Sequence, residues 1–493
     1  MSRPRATVGP GVGRTGFVAR HGLWTPEQAD AGADLAGRID SGEVETLRFS
    51  FADQHGIARG KALIGEAAKA ALASGVSLPS TLLTKDTSHA TVFPAFSKGS
   101  GLGLDELTGA SDIVLVADPA TFVMLPWAPR TGWVLCDVYF TNGRPAPFSG
   151  RRILKEALAP LAAEGRRLIT GLEIEFHLFR LEDPHLAPED ATQPATAPEV
   201  SLLARGFHYL TETRLDELEQ GVELLRDGLL AMGLPLRSAE CEFGPSQVEF
   251  TFAADEAVAS ADRMILFRTA AKQICRRNGL HVTFMCKPGL PNLFASGWHL
   301  HQSVSDAGGN NLFAPDGEGD LLSAHGRHWV AGLIDHAAAA ALLTTPTVNG
   351  YKRYRPNSLA PDRAAWSRDN RGVMLRVIGA GAGDPATRVE NRIGDPAANP
   401  YFYMASQALA GLDGVARGQE PPPPTETPYE EADAPALPQS LMEAVPAFRN
   451  SALYREKLGD LFVDYWADMK QAEIARFLSS VTDWEQREYF EIY

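Results

Sequence analysis

Four short segments of the chain alternate apolar residues with carboxylates, imidazoles and guanidiniums. They are Gly171–Phe179, Gln247–Phe252, Trp298–Ser303 and Arg388–Arg392. Successive strand side chains point to opposite faces, so Glu173, Glu175 and His177 share one face while Leu172, Ile174 and Phe176 share the other. The same alternation groups Gln247, Glu249 and Thr251; His299, His301 and Ser303; and Arg388, Glu390 and Arg392. A solvated strand face usually carries Lys, Thr and Ser. If these four strands share one sheet, they form a surface for divalent cations and phosphates.

Elsewhere the pattern predicts a helix over 25–41, opening on Thr25-Pro26 with Glu27 in its first turn. Strands are expected at 44–51, 57–63, 112–117, 121–125 and 132–139, with a turn at Asp53-Gln-His-Gly56. Helices are expected at 152–164, 214–232, 255–279 and 331–343, and most of 441–493 reads as amphipathic helix. Residues 1–20 read as a flexible arm. The Pro/Ala/Asp-rich 183–198 and the stretch 421–438, which opens on four prolines, read as exposed loops. The expected division is an arm and helix over 1–41, a small β-rich domain over 42–142 and a catalytic domain over 147–493.

A 493-residue chain with 44% hydrophobic and 22% charged residues is ordinary for a globular protein with a large core. Its net charge of −15 argues against nonspecific binding to nucleic acid or an anionic membrane. Four cysteines without CxxC spacing predict free thiols in a reducing compartment. No signal-peptide core or membrane-length apolar run is visible, so the expected location is the cytoplasm.

Glu173-x-Glu175 alone is weak, because most such pairs are solvated strand faces. It gains weight from Glu242 and Glu249 flanking Gly244-Pro-Ser-Gln247, and from His299 and Glu390 on comparable strands. Hard cations such as Mg²⁺ or Mn²⁺ suit this oxygen-rich set better than zinc does. Arg353, Arg371, Arg376, Arg388 and Arg392 form a basic set whose planar forks match carboxylate and phosphate oxygens. Carboxylates for metal beside arginines for anions equip a site for phosphoryl transfer. Neither a GxxxxGK[ST] loop nor a kinase-type Gly-rich loop is present. His177 is equally read as a ligand or as a structural histidine.

These motifs, in this order, resemble the glutamine synthetase superfamily of type I, over nearly the whole chain from residue 43 onward. Its markers are Asp53-Gln-His-Gly56, Gly171–Phe176, Glu242–Glu249, Lys287-Pro288, Ser296–Ser303, Asn349–Arg353, Asn370-Arg371, Arg388–Arg392 and Val481–Glu485. The resemblance implies an α+β fold: a β-grasp N-terminal domain and a catalytic domain on a curved antiparallel sheet flanked by helices. It further implies a homo-oligomer, typically a dodecamer of two stacked hexamers, with active sites between subunits.

Carried over by position, Glu175, Glu242 and Glu249 would hold one Mg²⁺ or Mn²⁺, and Glu173, His299 and Glu390 a second. Arg371, Arg376 and Arg388 would face the ATP phosphates, His301 and Ser303 the nucleotide, and Gly297, Arg353 and Arg392 the substrate L-glutamate. Asp53 would reach the amine site of an adjacent subunit; it, Arg371 and Arg376 would be catalytic. Two departures bear on the amine: Leu359 replaces the flap acid that holds ammonium, and Phe294-Ala295 replaces a polar Asn-Gly. An unpaired buried ammonium is costly, whereas an apolar lining favours an alkyl or aryl amine. The expectation is therefore a γ-glutamylamide ligase acting through γ-glutamyl phosphate, with ammonia-using glutamine synthetase or γ-glutamylpolyamine synthetase as alternatives. Tyr429, in the second loop, reads as a surface tyrosine.

Overall fold

In a computed structural model, residues 16–183, 187–317, 319–355, 358–379, 381–430 and 433–493 are described. The expected arm over 1–15 lies outside them. Its continuation is not an arm: Phe17–His21 form a short helix closed by Gly22 in the left-handed region, with Val18 buried. The next helix, Pro26–Asp40, starts where its capping box lies, with the Thr25 hydroxyl accepting from Gln28 N and the Gln28 side chain accepting from Thr25 N.

Six strands make a first sheet: β1 (Thr46–Ala52), β2 (Ala58–Ile64), β3 (Val76–Pro79), β4 (Asp112–Ala117), β5 (Val123–Met124) and β6 (Thr131–Phe140). Its order is β2-β1-β6-β4-β3, with β1 and β6 parallel and adjacent, and β5 pairing on β6. The helix Gly65–Ser74, absent from the sequence reading, buries Ala68, Ala71 and Leu72 in the same core as Leu47, Phe49 and Leu115.

The second sheet contains β7 (Arg167–Leu181), β8 (Val200–Leu202), β9 (Leu236–Cys241), β10 (Gln247–Glu256), β11 (Leu280–Thr283), β12 (Trp298–Ser305), β13 (Trp366–Arg368), β14 (Leu375–Ile378) and β15 (Arg388–Gly394). Its path is β13-β14-β15-β12-β7-β10-β9, so all four alternating segments are neighbours in one sheet. Every pair is antiparallel except the edge pair β13–β14, which is parallel. The apolar faces of β7 and β10 meet helix Ala257–Arg277 through Phe176, Phe250 and Phe267, with ring centroids 5.1–6.0 Å apart.

Helix Pro400–Arg417 also escaped the periodicity search. It is buried nearly all round, from Tyr401 to Gly411, so it has no polar stripe to mark it. It packs closely on helix Ala324–Asp335: a Cβ on Gly332 would lie 2.0 Å from the Ala410 carbonyl oxygen. The single helix expected over 331–343 is two, Ala324–Asp335 and Ala337–Thr344, broken where His336 turns to bond Asp413 at 2.7 Å. The two sheets are joined by a buried guanidinium. Arg151, on helix Gly150–Ala163, reaches Asp118 at 2.7 Å, Asp262 at 2.9 Å and Asp137 at 3.3 Å. Among the described residues no helix is long and apolar enough to cross a membrane.

Candidate active site

The strand register builds the site as three cross-strand rows. Glu240 of β9, Glu249 of β10 and Glu175 of β7 lie opposite one another in the first. Thr251, Glu173 and His299 form the second, across β10, β7 and β12. His301, Glu390 and Arg376 form the third, across β12, β15 and β14. Glu242 joins from the turn after β9. That turn is tight because Gly244 lies against Gln247 and Phe294; a Cβ there would come within 2.8 Å of the Phe294 Cβ. The first two rows and Arg376 of the third line a cavity of about 540 Å³, with His301 and Glu390 outside its lining.

Three sets of ligand atoms each fall within 4.8 Å of one another: Glu175/Glu242/Glu249, Glu173/Glu249/His299 and Glu173/His301/Glu390. The first is the expected triad. In the expected second triad, His299 Nδ1 lies 2.5 Å from Glu173 and 3.5 Å from Glu390. His301 Nε2 competes for the same place, 2.9 Å from Glu173. An oxygen-rich donor set with one or two imidazoles fits a hard divalent cation.

The electrostatics of these groups also fit a cation. Burial, reinforced by the charges of Glu173, Glu175 and Glu242, pushes the Glu249 carboxyl up to about 11. Burial and Glu242 push Glu175 up to about 8, and burial raises Glu242 as well. At Glu173, burial is outweighed by His299 and His301, which hold the carboxyl below its usual range. Glu390 is likewise lowered against burial, chiefly by Arg392. Burial takes His299 down to about 4, which leaves a neutral imidazole able to act as a ligand. Clustered buried carboxyls that resist ionisation are what a divalent cation would relieve.

A family model for the glutamine synthetase catalytic domain matches residues 148–489. The chain belongs to the glutamine synthetase family. It is 44% identical to a γ-glutamylanilide synthase of an Acinetobacter species, covering 97% of this chain and 99% of that protein. It is 32% identical to a γ-glutamylethanolamide synthetase of Streptomyces coelicolor, covering 93% and 95%. Among solved structures, apo GmaS without ligand superposes with a TM-score of 0.77 at 29% identity, over 93% of this chain and 99% of that one.

Among the family's arginines, Arg353, Arg371, Arg376 and Arg392 line the cavity. Arg392 donates to Glu390 at 2.5 Å and Arg376 to Glu390 at 3.1 Å and to Asp369. Arg353 is held by the carbonyls of Arg392 and Gly394 and reaches His299 Nε2 at 3.2 Å. It packs where a side chain at Gly297 would stand: a Cβ there would be 2.4 Å from the guanidinium. Gly297 N donates to Glu175 at 2.9 Å. Arg388 lies beyond His301, donating to its Nδ1 at 3.1 Å, and Ser303 continues the same face half-buried; neither lines this cavity. His177 is fully buried, taken down to about 3 by burial, and sits 3.3 Å from the Ser296 hydroxyl, which favours its structural reading.

Asp53 is 2% exposed in this chain. Its carboxylate accepts from His55 N, Ile57 N and Arg59 Nε, each at 2.9 Å, and so organises the β1–β2 turn. The two amine-site departures, Phe294 and Leu359, do line the cavity. Leu359 has φ +58°, a left-handed geometry uncommon for leucine, and is 56% exposed. Several lining residues were missed in the sequence, among them Lys352, Arg355 and Ser358. Of the others, Phe243 packs edge-on to Phe294 at 4.9 Å, Tyr209 lines the cavity within electrostatic reach of Glu242 and Glu249, and Glu240 adds a carboxylate. Glu240 was detectable: Ser238-x-Glu240-x-Glu242 continues the same alternation.

Most of the described residues of 421–438 are exposed, as expected, and the stretch also straps the flap that carries Leu359. Ala364 N donates to Pro435 O at 2.8 Å, Leu437 N to Asp362 O at 2.9 Å and Thr425 N to Trp366 O at 3.0 Å. The half-buried Tyr429 donates its hydroxyl to the Ala360 carbonyl at 3.3 Å.

Proposed function

We propose that this chain is an ATP-dependent ligase joining the γ-carboxylate of L-glutamate to an amine larger than ammonia, with an arylamine as the favoured acceptor. The observation that carries the reading is one cavity lined both by the cation-competent carboxylates and by the apolar Phe243, Phe294 and Leu359. Glu175, Glu242 and Glu249, and Glu173 with His299 and Glu390, are the proposed holders of two Mg²⁺ or Mn²⁺ ions. Bound there, such ions supply Lewis-acid polarisation and charge neutralisation for the transferring phosphoryl group.

The γ-carboxylate oxygen of glutamate attacks the γ-phosphorus of ATP, the bond to ADP breaks, and γ-glutamyl phosphate forms. Arg371 and Arg376, with Arg388 further out, offset the phosphate charge; Gly297, Arg353 and Arg392 orient glutamate. The amine nitrogen then attacks the acyl carbon, the C–O bond to phosphate breaks, and the proton the nitrogen loses leaves with the departing phosphate. An arylamine offers a neutral nitrogen and needs no flap carboxylate to hold or deprotonate an ammonium. Phe243, Phe294 and Leu359 exclude water from the acyl phosphate and gain ~0.8 kcal/mol per buried CH₂ of the acceptor.

The proposal includes a division between residues 142 and 147, where β6 gives way to helix Gly150–Ala163, and a cytoplasmic site of action. It also includes a ring-shaped homo-oligomer in which Asp53 acts at a neighbouring copy's amine site. The exposed Trp484, Phe490, Ile492 and Tyr493 at the C-terminus support association. The test is ADP release with ATP, glutamate and a panel of ammonia, ethanolamine, isopropylamine, putrescine and aniline, with the amide identified by mass. Turnover with ammonia at low concentration and none with aniline would return the chain to ordinary glutamine synthetase.

A further inference from the structure

The cavity carries charges of both signs, and most are paired or grouped. Arg392 and Arg376 meet Glu390, Arg353 meets His299, and the glutamates cluster on the strand rows. Lys287, Lys352 and Arg355 also line the cavity, and among the described residues they, like Arg371, make no ion pair with a carboxylate. Lys287 is half-buried, spends one N–H on the Leu293 carbonyl at 2.6 Å and stands 5.9 Å from the centre of the Phe294 ring. Burial and the neighbouring charge of Arg355 both disfavour its charged form. Two cationic side chains lining one cavity, one half-buried and one exposed, without an ion-paired acid of their own, suit an anion.

The anion's place relative to the acceptor follows from Phe294. This ring has Phe243 against it at 4.9 Å and the Lys287 ammonium at 5.9 Å. An aromatic acceptor stacked along Phe243 and Phe294, with its amine toward Glu175 and Glu249, turns its far edge toward Lys287 and Arg355. Resting on the ligase reading above, we propose that the acceptor is an arylamine bearing an anionic ring substituent, of the aminobenzoate class, whose carboxylate is bound by Lys287 and Arg355. The same cations disfavour acceptors with a distal ammonium, which sets polyamines aside.

The competing source of a carboxylate is glutamate itself, and the experiment separates the two. ADP release and amide formation are measured for aniline, 3-aminobenzoate, 4-aminobenzoate and methyl 4-aminobenzoate, whose ester keeps the shape and removes the charge. At least one aminobenzoate should exceed both aniline and the ester in kcat/KM by tenfold or more. In Lys287→Met and in Arg355→Ala, the ratio of aminobenzoate to aniline kcat/KM should fall toward one, through KM for the acceptor. Arg355 is exposed, so its substitution tests the idea even if Lys287→Met fails to fold. Aniline accepted with both aminobenzoates rejected, or a KM effect on glutamate in place of the acceptor, overturns the proposal. Absence of ADP release with every amine would overturn the ligase reading beneath it.

Discussion

Replacing Glu249 by Gln should make the metal-free protein more stable while destroying its use of divalent cations. Glu249 is 6% exposed, and its carboxyl is raised from 4.5 to about 11 by burial and by Glu173, Glu175 and Glu242. The folded chain therefore holds a proton there that the unfolded chain releases above pH 4.5. A raised carboxyl gives stability that falls as pH climbs from 4.5 toward 11. At about 1.4 kcal/mol per pH unit, the penalty reaches about 2 kcal/mol at pH 6 and about 5 kcal/mol at pH 8, both upper values. Glutamine does not titrate and escapes the penalty.

Thermal or urea unfolding in a chelator should show Glu249→Gln more stable than the wild type, with a gap that widens from pH 6 to pH 8. Added Mg²⁺ should stabilise the wild type strongly and the variant little, and ADP release should be lost. A variant less stable than the wild type at pH 8 in chelator would refute the electrostatic account. A gap independent of pH would refute it equally.

Leu359→Glu restores a flap carboxylate and should raise kcat/KM for ammonia while lowering it for aniline by at least tenfold; steady-state ADP release reads both. Gly297→Ala puts a methyl 2.4 Å from the Arg353 guanidinium and should raise KM for glutamate more than for ATP, with Gly297→Ser worse. Arg151→Met leaves Asp118, Asp137 and Asp262 without their shared cation. It should cost about 3–5 kcal/mol of stability, seen as a lowered unfolding midpoint at neutral pH; an unchanged midpoint would mean that the contact carries no net energy.

Alternation along single strands was enough to single out the carboxylates and imidazoles that cluster in the cavity, because a strand's side-chain period does not depend on what lies beside it. Order and register are tertiary, and only they reveal that Glu249 faces Glu175 and Glu240. They likewise show His301 within reach of Glu173, where His299 also lies. Phe243 was overlooked because it follows Glu242 in a turn, where no periodicity applies. Helix Pro400–Arg417 was invisible for the opposite reason, being apolar on every side. The role expected of Asp53 depends on a second copy of the chain; within one copy its carboxylate is engaged by Arg59 and two backbone amides.

The strap has a consequence for how acceptor choice can change. Tyr429 grips the flap through Ala360, 69 positions away in sequence. A surface loop is cheap to alter, since its residues build neither the cation site nor the phosphate site. Drift in its length or in the residue at 429 moves Leu359 without touching a catalytic group. Related chains can thus diverge in the amines they take while the machinery that activates glutamate stays the same.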